Sequence, residues 1–124
     1  MKARLTAIIL YVQNVQLLRN FYVESFNLKV IEQDPIWVLL DAGGAQIGLH
    51  KIGDQYLGNI EAGHLFDNNT KIVFDIDTDI ESARNQLISK NVQMREIKTF
   101  DNYPFWLCDG TDPEGNVFQL RSKK

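Results

Sequence analysis

The chain has little of what would tie it to a disulfide framework, a membrane or a nucleic acid. Among its 124 residues there is one cysteine, Cys108, so no disulfide can form within the chain, which fits a reducing compartment. No apolar run is long enough for a transmembrane helix or for the core of a signal peptide. The 13 basic residues are outnumbered by 16 acidic ones and form no stripe. We therefore expect a soluble, cytoplasmic protein that binds neither membranes nor nucleic acids.

Residues that commonly carry catalysis are also scarce. The chain has two histidines, His50 and His64, and for both an ordinary hydrogen-bonded or surface role is the simpler interpretation. No nucleophile elbow, phosphate-cradling glycine loop or paired cysteine–histidine pattern is present. Cys108 has no basic neighbour in the sequence, so we interpret it as a strand residue rather than a nucleophile.

The chain does contain the same predicted order of secondary-structure elements twice. Residues 1–52 predict a strand, a helix and three strands, and residues 70–124 repeat that order. Residues 53–69 lack a clean period and predict a long linking loop. The length suits one domain over residues 1–124. The order predicts an α+β fold, in which two βαβββ modules form a curved mixed-sheet cup with helices on its outer face.

The boundaries of these elements follow from apolar periodicity and from turn residues. Asn14 predicts the cap of the first helix and Asn27 its end, and Thr78 or Asp79 caps the second helix, which ends near Asn91. The predicted strands are residues 5–12, 28–32, 36–40 and 45–51 in the first half, and residues 71–77, 92–99, 105–108 and 116–121 in the second.

Alternation along the strands sorts the side chains into two faces. One face is largely apolar and should pack against the helices. The other face is richer in polar side chains and either lines a cavity or is simply solvated. The polar or small residues on it are Gln46, Gly48 and His50 on the fourth strand, Lys71, Asp75 and Asp77 on the fifth, and Gln119 and Arg121 on the last.

Two stretches of sequence resemble a known family. The turn near the C-terminus reads Asp112, Pro113, Glu114, Gly115 and Asn116 and leads into a short strand. The first strand ends Tyr11, Val12, Gln13 and Asn14, and the aromatic pair Phe21 and Tyr22 follows on the helix. Together these stretches resemble the vicinal oxygen chelate superfamily, which includes glyoxalase I, extradiol dioxygenases, metal-dependent epimerases and the bleomycin resistance proteins. The resemblance implies a small organic ligand and a homodimer.

The resemblance also implies where a divalent metal would be held. Metal-bearing relatives use a His on the first strand, a Glu or His on the fourth, a His opening the fifth and a Glu on the last. The matching residues here are Ala7, Gly48, Lys71 and Gln119, which are poor ligands or none. We therefore expect no metal and no cofactor. A rebuilt site from His50, Asp75 and a loop group stays an alternative.

The aromatic residues give a further indication of a ligand-binding pocket. Trp37 and Trp106 lie outside the helices and suit a pocket that stacks on flat ligands. Lys71 and Arg121 would give such a pocket a positive end that favours an anionic group, unless Lys71 forms an internal ion pair with Asp75. The predicted ligand-binding residues are Trp37, Gln46, His50, Lys71, Asp75, Trp106, Gln119 and Arg121.

These patterns favour a metal-free protein of the glyoxalase and bleomycin resistance type that binds a flat organic molecule. Proteins of the bleomycin resistance branch bind such molecules to sequester them. One alternative is a lyase, isomerase or dioxygenase with an atypical metal site, or with metal-free acid–base catalysis by Lys71, Asp75 or His50. Another is a non-catalytic scaffold or regulatory subunit. Enzymatic activity is left open, with binding alone preferred.

Overall fold

The computed structural model describes all 124 residues and divides into two compact units, Met1–His64 and Leu65–Lys124. The first unit contains β1 (Ala7–Val12), α1 (Val15–Phe26), β2 (Lys29–Asp34), β3 (Trp37–Asp41), β4 (Gln46–Lys51) and α2 (Asp54–Leu57). The second contains β5 (Lys71–Asp75), α3 (Ile80–Ser89), β6 (Phe105–Thr111) and β7 (Val117–Lys123). The predicted α+β class is confirmed. No helix is both long enough and apolar enough to cross a membrane.

The first unit is a four-stranded mixed sheet with the strand order β1-β4-β3-β2. β1 runs parallel to β4, from which α1, β2 and β3 separate it in the chain, and the other neighbours are antiparallel. One face of the sheet packs against α1 and forms the core. The buried residues of this core include Val12, Leu18, Tyr22, Val38, Leu40, Ile47 and Leu49.

The ends of α1 follow from local chemistry. The Asn14 side chain accepts a hydrogen bond from the backbone N–H of Leu17 at 3.0 Å and so caps the first turn. Asn27 ends the helix in the left-handed conformation, with a φ of 55°. Both predicted helix ends are therefore confirmed. In the second unit Asp79, rather than Thr78, caps α3 by accepting from Ser82 at 2.9 Å.

The second unit is a three-stranded sheet with the order β5-β7-β6, in which β5 is parallel and β6 antiparallel to the central strand. α3 packs against one face of β6 and β7. The buried residues of the second core include Ile72, Ile80, Leu87, Cys108, Phe118 and Leu120.

The predicted strand over residues 92–99 is wrong. This segment makes two isolated bridges to β6, Met94 with Gly110 and Lys98 with Leu107. Between the two bridges the segment advances four residues, from Met94 to Lys98, whereas β6 advances three, from Gly110 back to Leu107. The register therefore shifts and a regular ladder cannot form. The segment nevertheless stays hydrogen-bonded along β6, and its Arg95 N–H donates to the Asp109 carbonyl at 2.8 Å.

The turn near the C-terminus is closed by its own side chains. One Asp112 carboxylate oxygen accepts from the backbone N–H groups of Glu114 and Asn116, at 2.9 and 3.0 Å. Gly115 adopts a φ of 90°, and a Cβ there would lie 2.8 Å from the carbonyl oxygen of Phe66. The Phe66 N–H donates to the Glu114 carbonyl at 2.7 Å, so the turn also anchors the chain that enters β5.

Candidate functional site

Three rings meet on the face of the first sheet that lies opposite α1. Tyr11 and Trp37 are the register partners of His50 on its two sides. Their ring centroids lie 5.3 and 6.0 Å from that of His50. Tyr11 is 61% exposed, whereas Trp37 and His50 are half-buried, so the group reaches solvent mainly at Tyr11. We call Tyr11, Trp37 and His50 the aromatic face.

Gly48 gives the aromatic face its shape. A Cβ at this position would overlap the indole ring of Trp37, so glycine is the residue that lets the ring lie against the strand. The Trp37 indole N–H donates to the Glu32 carboxylate at 3.0 Å, which fixes the orientation of the ring. Shape and orientation are thus both set by residues of the same sheet.

The hydrogen bond of His50 determines which ring nitrogen carries the proton in the neutral ring. His50 Nδ1 lies 2.7 Å from the carbonyl oxygen of Lys51. Because a carbonyl only accepts, Nδ1 carries the proton, and Nε2 is left as the acceptor. Gln46 lies on the same face by alternation and borders a cavity of about 320 Å³ beside the 42–44 turn.

A buried carboxylate organises the open face of the second sheet. Asp109 on β6 accepts from Lys71 Nζ at 2.6 Å and from Gln119 Nε2 at 2.8 Å. Burial alone raises the pKa of Asp109, but the hydrogen bonds from Lys71 and Gln119 outweigh it and hold the pKa below its usual range. Asp109 is therefore a carboxylate at neutral pH.

The internal Lys71–Asp75 ion pair considered from the sequence is wrong, because Lys71 pairs with Asp109. Asp75 instead accepts two hydrogen bonds from Arg121, its register partner, at 2.5 and 2.8 Å. The hydrogen bond from Arg121 lowers the pKa of Asp75, and the same bond raises that of Arg121. The Arg121 guanidinium also lies 4.4 Å from the ring centroid of Phe105.

Trp106 lies on the other face of β6. Its register partner is Ser122, whereas Asp109 pairs with Gln119. Trp106 borders a separate cavity of about 340 Å³ beside the start of α3, and Lys124 Nζ lies 5.1 Å from its ring centroid. Trp106 therefore does not share a face with Lys71, Gln119 and Arg121.

Sequence reasoning missed Asp109 and the cations beside it, Arg95 and Lys98. The predicted strand ended at Cys108, whereas β6 continues to Thr111. Alternation from Phe105 through Leu107 would have placed Asp109 on the polar face. Arg95 and Lys98 lie on the irregular segment, where no period assigns a face.

Many members of the vicinal oxygen chelate superfamily bind a divalent metal, but the residues at the matching positions of this chain do not suit one. In the first unit Ala7 and Gly48 offer no donor atom. In the second unit the Lys71 ammonium and the Gln119 amide are both hydrogen-bonded to Asp109. No group of three or more His, Cys, Asp or Glu side chains is gathered where it could hold an ion.

Comparison with known proteins gives a match in fold. No protein-family model matches the chain, and no curated protein matches it in sequence. The fosfomycin resistance protein FosX from Listeria monocytogenes has 17% identity and a TM-score of 0.77, covering 100% of this chain and 96% of its own. An integron cassette protein from the mobile metagenome of V. cholerae has 20% identity and a TM-score of 0.74, covering 100% and 98%.

A third structure is TnmS3, an antibiotic binding protein from Streptomyces sp. CB03234, with 18% identity, a TM-score of 0.70 and coverage of 99% and 98%. These proteins are members of the vicinal oxygen chelate superfamily. The chain therefore has the fold of that superfamily, and the resemblance seen in the sequence is confirmed at the level of the fold. At these identities the likeness extends to the fold alone.

Proposed function

We propose that the protein binds a small, flat organic molecule without a metal, in the manner of the bleomycin resistance branch. The observation that carries the proposal is the aromatic face, where the exposed ring of Tyr11 and the half-buried ring of Trp37 flank His50. Aromatic rings held open to solvent on a sheet suit stacking against a planar ligand, and a few polar groups then orient it. His50 Nε2 is one such group, since Nδ1 already donates to Lys51.

Two of the structural relatives support this proposal. TnmS3 is an antibiotic binding protein, and FosX is a fosfomycin resistance protein. In the first unit Gln46, which lies on the same face of the sheet by alternation, completes the proposed set. Trp106 is the one proposed ligand residue that the position of β6 argues against.

The enzymatic alternative rests on His50. Lys71 and Asp75 are each engaged in an ion pair, which leaves them poorly suited to exchange protons with a substrate. His50 is half-buried beside the exposed Tyr11, has an acceptor nitrogen and could act as a general base. His50→Phe would abolish turnover of a substrate while leaving ring stacking intact, whereas a pure binding protein would lose affinity only.

The proposal is tested by following the two indole N–H signals in a proton–nitrogen NMR titration. Trp37→Phe and Trp106→Phe assign the two signals. With 2-naphthoate as a planar anionic probe, and bleomycin as a second probe, we expect saturable shifts of the Trp37 signal and none for Trp106. Gly48→Ala, which displaces the Trp37 ring, should weaken binding, whereas Gly44→Ala, with open space around it, should not. No saturable shift at Trp37 with any planar probe would reject the proposal.

A further inference from the structure

Three cationic side chains surround the buried carboxylate of Asp109. Its Oδ2 atom lies 2.6 Å from Lys71 Nζ, 3.7 Å from Arg95 Nη1 and 4.0 Å from Lys98 Nζ. The Asp109 side chain is 3% exposed, whereas the side chains of Lys71, Arg95 and Lys98 are 41%, 64% and 48% exposed. The carboxylate therefore lies beneath a group of cations that reach solvent. We call Lys71, Arg95 and Lys98 the cationic cluster.

The cluster has more positive charge than Asp109 neutralises. Three cations share one carboxylate, which leaves a surplus of two positive charges. Asp75, on the same strand as Lys71, pairs with Arg121, and Glu96, next to Arg95 in the chain, pairs with Arg84. Like charges held this close repel one another, and a bound anion removes that repulsion.

The cluster is also held in place before any ligand arrives. The N–H of Arg95 donates to the Asp109 carbonyl and that of Lys98 to the Leu107 carbonyl, each at 2.8 Å. The carbonyl of Arg95 in turn accepts from Arg84 Nε at 2.8 Å. These bonds fix the irregular segment along β6, so less conformational entropy is lost when the side chains close on a ligand.

We propose that the cationic cluster binds the doubly charged phosphate or phosphonate group of a small molecule. The inference goes beyond the proposed stacking function, because the cluster lies wholly within the second unit. Two negative charges match the surplus, and the planar guanidinium of Arg95 can donate two parallel hydrogen bonds to such a group. A singly charged anion leaves one positive charge unmatched and should bind more weakly.

Inorganic phosphate at pH 8, where it is mostly doubly charged, is the probe for this site, and nitrate is the singly charged comparison. In an NMR titration of the full chain at low ionic strength we expect saturable shifts of the backbone amides of residues 93–98 and 109. Lys98→Met and Arg95→Gln, both at exposed side chains, should each weaken phosphate binding by about 5- to 30-fold. Nitrate should bind more weakly than phosphate.

Lys29→Met is the matched control, because it removes an exposed lysine on β2 in the other unit, and it should leave phosphate binding unchanged. The proposal is overturned if phosphate gives no saturable shift, if both cluster variants bind like the wild type, or if the control loses as much affinity. Phosphate binding without 2-naphthoate binding would keep this site and reject the aromatic proposal. The opposite pattern would reject this site alone.

Discussion

At the scale of single residues, Asp109 is the position on which the second unit depends most. It is almost fully buried, yet it is ionised, because Lys71 and Gln119 donate to it. A buried charge is tolerated only when it is paired and hydrogen-bonded. The same carboxylate holds three cations near one another, so a change at Asp109 affects both folding and the cationic cluster.

Asp109→Asn should destabilise the protein at neutral pH by about 1–3 kcal/mol, since an amide cannot accept from Lys71 as a carboxylate does. The folded-state pKa of Asp109 lies below its usual range, so its stabilisation is present above the unfolded pKa of about 3.9 and is lost as pH falls through the folded pKa. Urea denaturation should therefore show a wild-type advantage at pH 7 that shrinks at pH 3.

Asp75→Asn is the matched control for that experiment, because Asp75 also forms an ion pair but does so at the surface. Exposed pairs contribute little to stability. If Asp75→Asn lowered the free energy of unfolding as much as Asp109→Asn does, burial would not explain the larger contribution expected of Asp109.

At the scale of elements, the short polar residues at helix ends and turns determine where each element begins and ends. Asn14 and Asp79 each cap a helix with a side-chain oxygen. Asn27, Asn91 and Gly115 take positive φ angles where the chain must turn sharply. Two of these positions can be tested by substitutions that leave the cores untouched.

Asn14→Ala should lower the free energy of unfolding by about 1 kcal/mol, because the Leu17 N–H loses its side-chain acceptor. Asn14→Ser should recover most of the loss, since serine also caps well. Chemical denaturation of the three proteins measures both effects. Equal stability of the alanine and asparagine forms would show that the cap contributes nothing.

Gly115→Ala should destabilise the protein by about 1–3 kcal/mol, because alanine is strained at positive φ and its Cβ would contact the Phe66 carbonyl. Gly44→Ala is the control, as no positive φ or close neighbour is found there. Thermal melts compare the two variants. A melting temperature of Gly115→Ala equal to that of the wild type would refute the role given to this turn.

At the scale of the whole molecule, both sheets have open edges. β1 and β2 lie at the edges of the first sheet, and β5 at one edge of the second. Edge strands leave backbone donors and acceptors unpaired and are commonly covered by a partner. We therefore predict a homodimer, whose light-scattering mass at micromolar concentration should be about twice 14.3 kDa. The mass of a single chain under those conditions would contradict the prediction.

Metal content is a second property of the whole protein. After incubation with Zn²⁺, Ni²⁺, Mn²⁺ or Fe²⁺ and desalting, we expect well below one ion per chain, because Ala7, Gly48, Lys71 and Gln119 supply no suitable set of donors. Elemental analysis measures the content. Stoichiometric retention that disappears in His50→Ala would instead identify an atypical site built around His50.

The sequence by itself determined the α+β class, the order of elements in the first half, the ends of α1 and the turn at Asp112. These features depend on short-range physics: apolar periodicity, side-chain caps and residues that accept unusual φ angles. Alternation also placed Gly48 and His50 on one face correctly, because the period of a strand is strictly two.

Only the tertiary structure decided which groups meet. The pairing of Lys71 with Asp109 rather than Asp75 depends on which strands are neighbours and on their register, and both are set by packing between residues far apart in the chain. The irregular segment beside β6 arises from a one-residue register shift that no local period reveals. The cationic cluster, which lies partly on that segment, therefore exists only in the folded chain.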